Sequence, residues 1–525
     1  MENSKSESQP RRFDAILVLD FGGQYCHLIA RRIREQRVYS EIVPCDITAD
    51  AVLDVRDEHN IKGMVLSGGP SSVYEDDAPK LDPKILNLDL PILGLCYGHQ
   101  LIAHLSGGRV EKGVKREYGS AYVTIDKPID ILENLNREEK VWMSHYDTVY
   151  SLPDDFEILA HTDNCPIAAF RHKKRPIYGL QWHPEVAHTE HGTTVLRNFI
   201  FKICGCRANW KSTFIIEEAI NEIKRTVGEE KAIIALSGGI DSSTGAIIAS
   251  NVIGRNLTAV FVDHGFMREG EPEFVEKTFT DLGVNIVVID ARERFLRRLE
   301  DVVDPEEKRR VIGEEFIKVF EEIAEKTGSK YLIQGTIYPD RIESGARKHS
   351  EKIKSHHNVA GIPTRIRFEA IIEPLRDLYK DEVREIAKSL GLPDEIIHRQ
   401  PFPGPGLAVR IIGQITPDQV ELLKKADRIV AEEVEKNKEL MGGLWQYFAV
   451  LTNTKSTGVK GDSRAYGYVL AVRAVESREA MTASFARVPY DVLERISTRI
   501  TNELPQITRV VYDVTHKPPA TIEWE

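Results

Sequence analysis

The sequence predicts an α/β chain in which two doubly wound parallel-sheet domains are followed by a smaller α+β C-terminal domain. Three observations predict it. At about 150 residues per domain, 525 residues suggest roughly three domains. Short β-branched runs alternate with helical stretches in two successive regions, the rhythm of parallel strands joined by crossover helices. The run Pro401-Phe-Pro-Gly-Pro-Gly406 then breaks that alternation. An apolar fraction of 42% and a charged fraction of 29%, with 36 Gly and 25 Pro, is an ordinary globular balance and excludes a disordered or fibrous chain.

The first twelve residues, rich in Ser, Glu and Gln, read as a flexible tail, 1–12. The first domain, 13–207, opens with a strand at Ala15 to Leu19, a helix through His27 to Glu35, and strands at Gly63 to Leu66 and Ile92 to Leu95. A helical pattern, His99 to Leu105, follows directly, and a further strand spans Ile177 to Leu180. Thr194 to Ile203 reads as a closing helix that Cys204-Gly-Cys206 ends, with a boundary near Ala208. The second domain, 208–400, has strands at Lys231 to Leu236, Leu257 to Val262, Asn285 to Asp290 and Lys330 to Ile333, with charged helical stretches from Glu293 to Lys326. Arg341 to Thr364 lacks periodicity, and a segment of that length reads as a lid, about 340–364. The third domain, 401–525, holds a Lys/Glu-rich helix (Asp418 to Lys436), strands at Gln446 to Leu451 and Tyr466 to Val472, a helix at Tyr490 to Asn502 and a strand at Arg509 to Asp513.

Lys and Arg number 70 against 81 Asp and Glu, a net charge of −11. That balance opposes attraction to nucleic acid or an anionic membrane, so neither is expected as a partner. No apolar run approaches the ~18 residues that span a bilayer, and Met1 to Arg12 lacks a signal peptide's hydrophobic region, so a cytoplasmic location is expected. The six cysteines have no repeating spacing of a disulfide framework or zinc site.

Gly94-Leu95-Cys96-Tyr97-Gly98 lies where an apolar strand gives way to a helix. Small flanking residues permit the sharp turn that exposes a nucleophile, and a helix N-terminus favours a thiolate. The backbone N–H of Tyr97 points where an oxyanion would develop, and Ser67-Gly68-Gly69-Pro70 can supply a second donor. His183, in Gln181-Trp182-His183-Pro184-Glu185, is the candidate base, and Glu185, two residues on, can orient it. A lone Cys or His is more often a packing or surface residue, but the conjunction points to catalysis.

Ser237-Gly238-Gly239-Ile240-Asp241-Ser242-Ser243 joins a strand to a small-residue helix, Thr244 to Asn251. Its glycines let backbone N–H groups converge on an anion and its serines add donors, so it reads as a phosphate loop. It lacks the lysine of a Walker A motif, which disfavours γ-phosphoryl transfer by that apparatus. Asp241 is a candidate ligand for Mg²⁺. Val262 ends the next strand, and reads equally as an adenine seat or as ordinary core.

The Cys96 elbow and His-Pro-Glu motif, over about Phe13 to Cys206, resemble the class I glutamine amidotransferases, and the Ser237 loop resembles that of N-type ATP pyrophosphatases. The first resemblance implies glutamine hydrolysis through a thioester, with Gln100 and the Trp142-Met143-Ser144-His145 stretch holding glutamine; the second implies adenylation with release of pyrophosphate. Together with Gln334-Gly-Thr-Ile-Tyr-Pro-Asp340, Ile353-Lys354-Ser355-His356-His357-Asn358, the proline-glycine run and Lys517-Pro-Pro-Ala-Thr-Ile-Glu523-Trp-Glu525, they resemble the GMP synthase family along nearly the whole chain. That resemblance implies conversion of xanthosine monophosphate (XMP), ATP and glutamine to GMP, AMP, pyrophosphate and glutamate, with MgATP as co-substrate and a homodimer formed through the C-terminal domain. It implies XMP contacts at Arg309, Asp462, Lys517 and Glu523. It also implies lid residues Asp340, Glu343, Lys354, His356 and His357, of which the His pair has no further ligands at zinc spacing. Read without the family, Glu306 to Arg310 is a solvated helix face. Gly23, Tyr146, His264 and Gln400 stand where the family pattern has Ser, Gly, Asn and His. Two rivals stay open on the residues alone: an amidotransferase or thiolating pyrophosphatase with another carbonyl substrate, and a catalytically silent nucleotide or glutamine sensor.

Overall fold

The structure is a computed structural model of the chain, and it describes residues 13–340, 368–477 and 482–525. The predicted tail, 1–12, and the lid residues Glu343, Lys354, His356 and His357 lie outside the described residues. The chain divides into two compact units that meet between Lys211 and Ser212.

The first unit is built on nine strands: β1 (Asp14–Asp20), β2 (Tyr39–Pro44), β3 (Asn60–Leu66), β4 (Ile92–Leu95), β5 (Arg109–Ile125), β6 (Glu138–Ser151), β7 (Phe156–His161), β8 (Ala169–His172) and β9 (Ile177–Leu180), in the order β2-β1-β3-β4-β9-β8-β7-β5-β6. The half from β2 to β9 is parallel, as predicted. Its strands are short apolar runs because helices bury both faces: all four residues of β4 and of β9 are buried. The other half, including the long β5–β6 hairpin, is antiparallel. Along β6 buried residues alternate with exposed or half-buried ones over most of its length, the pattern of a strand solvated on one face. The expected closing helix is an α-helix over Gly192–Arg197 that continues as a π-helix over Asn198–Ile203. Asp14, buried in β1, anchors the end of the unit by accepting the Arg207 backbone N–H at 2.8 Å and Arg207 Nη2 at 3.0 Å.

The second unit carries a parallel sheet, β10 (Ala232–Ala235), β11 (Leu257–Asp263), β12 (Ile286–Asp290), β13 (Tyr331–Ile333) and β14 (Ala370–Ile372), in the order β12-β11-β10-β13-β14. It also carries a sheet in which β15 (Gln446–Lys460), β16 (Ser463–Glu476) and β17 (Ser484–Phe485) are antiparallel, and β18 (Ile507–Tyr512) runs parallel to β16. β15 and β16 exceed their predicted lengths because their polar ends form a projecting hairpin. Its outer residues Val459 and Tyr466 are 75% and 72% exposed. One hydrophobic core serves both sheets: Ile233, Val260 and Leu332 join the same cluster as Leu423, Leu470 and Ile496.

Candidate active sites

The parallel half of the first sheet delivers its loops to one end, where the carboxyl ends of β3, β4 and β9 meet. Cys96 follows β4 and precedes the helix Tyr97–Leu105, with φ +50° and ψ −102°. A non-glycine residue held there stores roughly 1–3 kcal/mol of strain. The flanking glycines are a steric requirement, since a Cβ at Gly98 would lie 2.4 Å from the Leu66 carbonyl oxygen, and one at Gly94 would lie 2.4 Å from that of Gly98. Gly68, after β3, borders the nucleophile closely enough that a Cβ there would lie 3.2 Å from His183 Cε1 and 3.6 Å from Cys96 Cβ. Gly69 and Gly23 complete this packing, because a Cβ on either would meet a backbone oxygen, Phe21 O at 2.6 Å and Gly68 O at 2.3 Å respectively. The unusual Gly23 is thus what lets the Gly68 loop approach.

His183 follows β9, and its Nδ1 lies 2.6 Å from Glu185 Oε1. The same imidazole interacts electrostatically with the Cys96 sulfur. Burial works against its charged form, but the Glu185 carboxylate and the Cys96 sulfur outweigh burial and push His183 up to about 10. The structure therefore brings together all three members of the predicted triad. Tyr25, whose ring meets that of His183 edge-on at 5.0 Å, and Arg32, whose Nε donates to the Glu185 carbonyl at 2.9 Å, were not legible in sequence. Neither belongs to a motif; both ride on or beside the helix Cys26–Glu35.

The residues expected to hold glutamine surround Cys96, but their polar atoms are largely engaged within the protein. The Ser144 carbonyl accepts the Cys96 thiol at 3.4 Å. Gln100 Nε2 donates to the Asp147 carbonyl at 2.8 Å and to Gln181 Oε1 at 3.1 Å. Both ring nitrogens of His145 have partners, the Asp147 carbonyl and Glu117. The Tyr97 hydroxyl donates to the Pro79 carbonyl at 2.7 Å, and Tyr97 begins the helix that follows Cys96. Tyr146 lies between two cations, Lys112 at 4.7 Å and Arg116 at 4.4 Å from its ring.

In the second unit the loop after β10 leads into the helix Ile240–Ile253. Gly238 takes φ +74°, a conformation that favours glycine. Ser237 Oγ and Ser242 Oγ lie 3.0 Å apart, and the Gly239 N–H donates to Ser237 Oγ at 3.3 Å, so the loop is cross-braced by its own hydroxyls. Arg399 braces it from outside, donating to the Gly238 carbonyl at 3.3 Å while paired with Glu271 at 2.7 Å. Ser243 is buried in the helix. Burial raises the Asp241 carboxyl, which has Lys380 3.7 Å from Oδ2 and no hydrogen bond at Oδ1. Val262 is wholly buried in β11, within the core. His264 is buried beyond it; burial lowers it to about 4, and its Nδ1 accepts the Phe266 N–H at 3.1 Å. Gln400 Oε1 accepts the Tyr447 N–H at 2.9 Å. Both unusual residues therefore serve local packing.

Among the expected XMP contacts, Glu523 is held by Arg410 through two bonds of 2.9 Å, and Arg410 is fully buried against the face of Phe448. Arg309 donates to the Glu525 carbonyl, and the adjacent, fully buried Lys308 pairs with the Glu525 side chain. Lys517 pairs with Ala483 through its backbone at 2.7 and 3.0 Å. Asp462 stands apart, exposed at the tip of the β15–β16 hairpin. At 3.3–3.4 Å per residue that tip lies about 45 Å along the strand from Gln446, whose amide reaches Glu523 at 3.3 Å. Asp340, beside the undescribed segment, accepts the Ile337 N–H at 3.1 Å.

A strained thiol elbow with a His–Glu pair on one unit, and a lysine-free phosphate loop on the other, define a glutamine-dependent amidotransferase coupled to nucleotide chemistry. The pattern of the class I glutamine amidotransferases matches residues 17–203, that of NAD synthase 214–317 and that of the GMP synthase C-terminal domain 432–524. The glutamine-hydrolysing GMP synthase of Caldicellulosiruptor saccharolyticus is 54% identical over 514 residues, 98% of this chain and 99% of that protein. The same-named protein of Thermosynechococcus vestitus is 51% identical, covering 97% and 96%. A crystal structure of a putative GMP synthase component from Thermoplasma acidophilum is 37% identical, covering 37% of this chain and 96% of that one, with a TM-score of 0.33. The chain belongs to the family of glutamine-hydrolysing GMP synthases.

Proposed function

We propose that this chain aminates XMP to GMP with ATP, using ammonia that its own first unit releases from glutamine, and that Cys96, His183 and Glu185 perform the hydrolysis. The observation that carries the reading is the Cys96–His183–Glu185 relay, with Glu185 2.6 Å from the histidine. The Cys96 thiol passes its proton to His183 and the resulting thiolate attacks the amide carbon, and the oxyanion is met by the Tyr97 N–H and the Gly68-Gly69 loop. His183, protonated, delivers its proton to the departing ammonia and then takes one from the water that hydrolyses the thioester. Glu185 holds the ring and stabilises its charge.

The Ser237–Ser243 loop binds the phosphates of ATP, an XMP oxygen attacks the α-phosphorus, and pyrophosphate leaves. Ammonia then displaces AMP from adenyl-XMP. The unbonded, buried Asp241 Oδ1 fits one ligand of Mg²⁺, which neutralises phosphate charge when bound. Arg309, Asp462, Lys517 and Glu523 contact XMP, and Asp340, Glu343, Lys354, His356 and His357 belong to a lid. Asp462 lies too far from the Glu523 end of its own chain to share one nucleotide with it, which favours a homodimer through the C-terminal region. The boundaries we assign are 13–207 for the glutaminase, 208–400 for the adenylating part and 401–525 for the remainder, in a cytoplasmic enzyme. No described helix is long and apolar enough to cross a membrane.

Pyrophosphate release with MgATP and XMP tests this, with glutamine or ammonium as nitrogen source. Cys96→Ala is expected to lose the glutamine reaction and keep the ammonium reaction. Absence of release by the wild type with either nitrogen source overturns the assignment.

A further inference from the structure

Behind the nucleophile lies a buried polar cluster that the triad does not use. Glu117 on β5 faces His145 on β6, one pair along from Tyr118 and Ser144. Glu117 Oε2 lies 3.0 Å from His145 Nε2, and its Oε1 accepts Thr162 Oγ1 at 2.9 Å and Asn164 Nδ2 at 3.4 Å. On the other side of the ring, His145 Nδ1 lies 2.9 Å from the Asp147 carbonyl oxygen. Burial opposes ionisation of Glu117, but the bonds from His145 and Thr162 prevail and hold it below its ordinary value. A carbonyl has no proton to give, so Nδ1 donates to Asp147 while Nε2 faces the Glu117 carboxyl group.

Glu117, His145 and Cys165 bring their ligand atoms within 4.8 Å of one another, a grouping able to hold a metal ion. The hydrogen bonds argue for another role. Glu117 is already bonded to three side chains, both His145 nitrogens have partners, and burial together with Glu117 pushes the Cys165 thiol up to about 12. What the cluster holds is the strand segment 144–147. That segment presents the Ser144 carbonyl to the Cys96 thiol and the Asp147 carbonyl to Gln100, on the helix that Cys96 begins.

We infer that Glu117 is a positioning residue for glutamine hydrolysis, fixing the segment 144–147 against Cys96 and Gln100 through the His145 ring. The inference rests on Cys96 as the nucleophile. Glu117→Ala removes the acceptor and frees the ring, whereas Glu117→Gln keeps an oxygen for Thr162 and Asn164. Its amide N–H can donate to His145 Nε2, and the neutral ring still donates from Nδ1 to Asp147.

The test measures kcat and KM for glutamine and for ammonium, by pyrophosphate release with MgATP and XMP, in wild type, Glu117→Ala, Glu117→Gln and Cys96→Ala. Glu117→Ala is expected to lower kcat/KM for glutamine by about tenfold or more, while the ammonium reaction stays within about twofold. Glu117→Gln is expected to restore the glutamine reaction to within about threefold of wild type. A glutamine kcat/KM unchanged in Glu117→Ala overturns the inference. So does a parallel loss of both reactions, which assigns Glu117 to folding alone, or a Glu117→Gln defect as deep as that of alanine. Glutamine turnover by Cys96→Ala would instead overturn the nucleophile assignment.

Discussion

Replacing Glu185 with Gln removes one negative charge from the relay while keeping the size and shape of the side chain. The rise of His183 from an ordinary 6.5 to about 10 corresponds to a preference for the protonated ring on the order of 5 kcal/mol, and Glu185 is the largest contributor that raises it. Because His183 holds its proton below about pH 10, the wild-type glutaminase is expected to stay active well above pH 8 and to lose activity as the pH passes 10. In Glu185→Gln, burial is left opposed by Cys96 alone, and the alkaline limb is expected to move at least one to two units towards neutrality. The same linkage acts on stability: a raised folded-state value contributes stability that is complete below 6.5 and is lost as the pH rises through 10. The substitution also exchanges the buried, unpaired Glu185 Oε2 for an amide group, whose N–H donors then lack a partner, at a cost of about 1–3 kcal/mol. The assay is the pH profile of kcat/KM for glutamine, with the ammonium reaction as control. An alkaline limb that stays in place, with a uniformly lower rate, would refute the electrostatic account and leave Glu185 a purely steric support.

Three further outcomes follow from the geometry. Gly98→Ala drives a Cβ into the Leu66 backbone, so the elbow must shift; a stability loss of about 1–3 kcal/mol by urea unfolding is expected, with a glutamine reaction reduced far more than the ammonium one. Arg410→Met leaves Glu523 without its buried cation and Asp427 with Arg268 alone, and is expected to destabilise the second unit by about 3–5 kcal/mol and to raise the KM for XMP. Asp241→Asn retains shape while removing a charge that burial disfavours, so thermal stability is expected to hold or rise slightly while pyrophosphate release falls and demands more Mg²⁺.

The parallel strands were legible because a strand covered on both faces must be apolar along its whole length, as β4 is. The β5–β6 hairpin was not, since its exposed face carries Lys112, Arg116 and Tyr118, and the alternation this creates is diluted over a register shift between Lys112 and Glu117. The triad could be read because local chemistry fixes it: Cys96 needs its neighbouring glycines, and Glu185 needs to be two residues from His183. Tyr25 and Arg32 meet His183 and Glu185, and Glu117 meets His145, across 28 to 158 positions of sequence, a separation that only pairing and packing close. The proline-glycine run shows what sequence alone leaves out. It ends the alternation of strands and helices, and Phe402 within it packs against two hydrophobic cores of the second unit.

That shared core has a consequence for modularity. Because β10, β11 and β13 bury apolar side chains against the same cluster as the helices Pro417–Glu435 and Tyr490–Glu503, neither half can shed the other without exposing its own interior to water. Residues 212–525 are therefore expected to melt in a single calorimetric transition, and a fragment truncated after Gln400 to aggregate rather than remain a smaller adenylating enzyme. In recombination, the exchangeable cassette is the whole second unit, with its seam at Ser212.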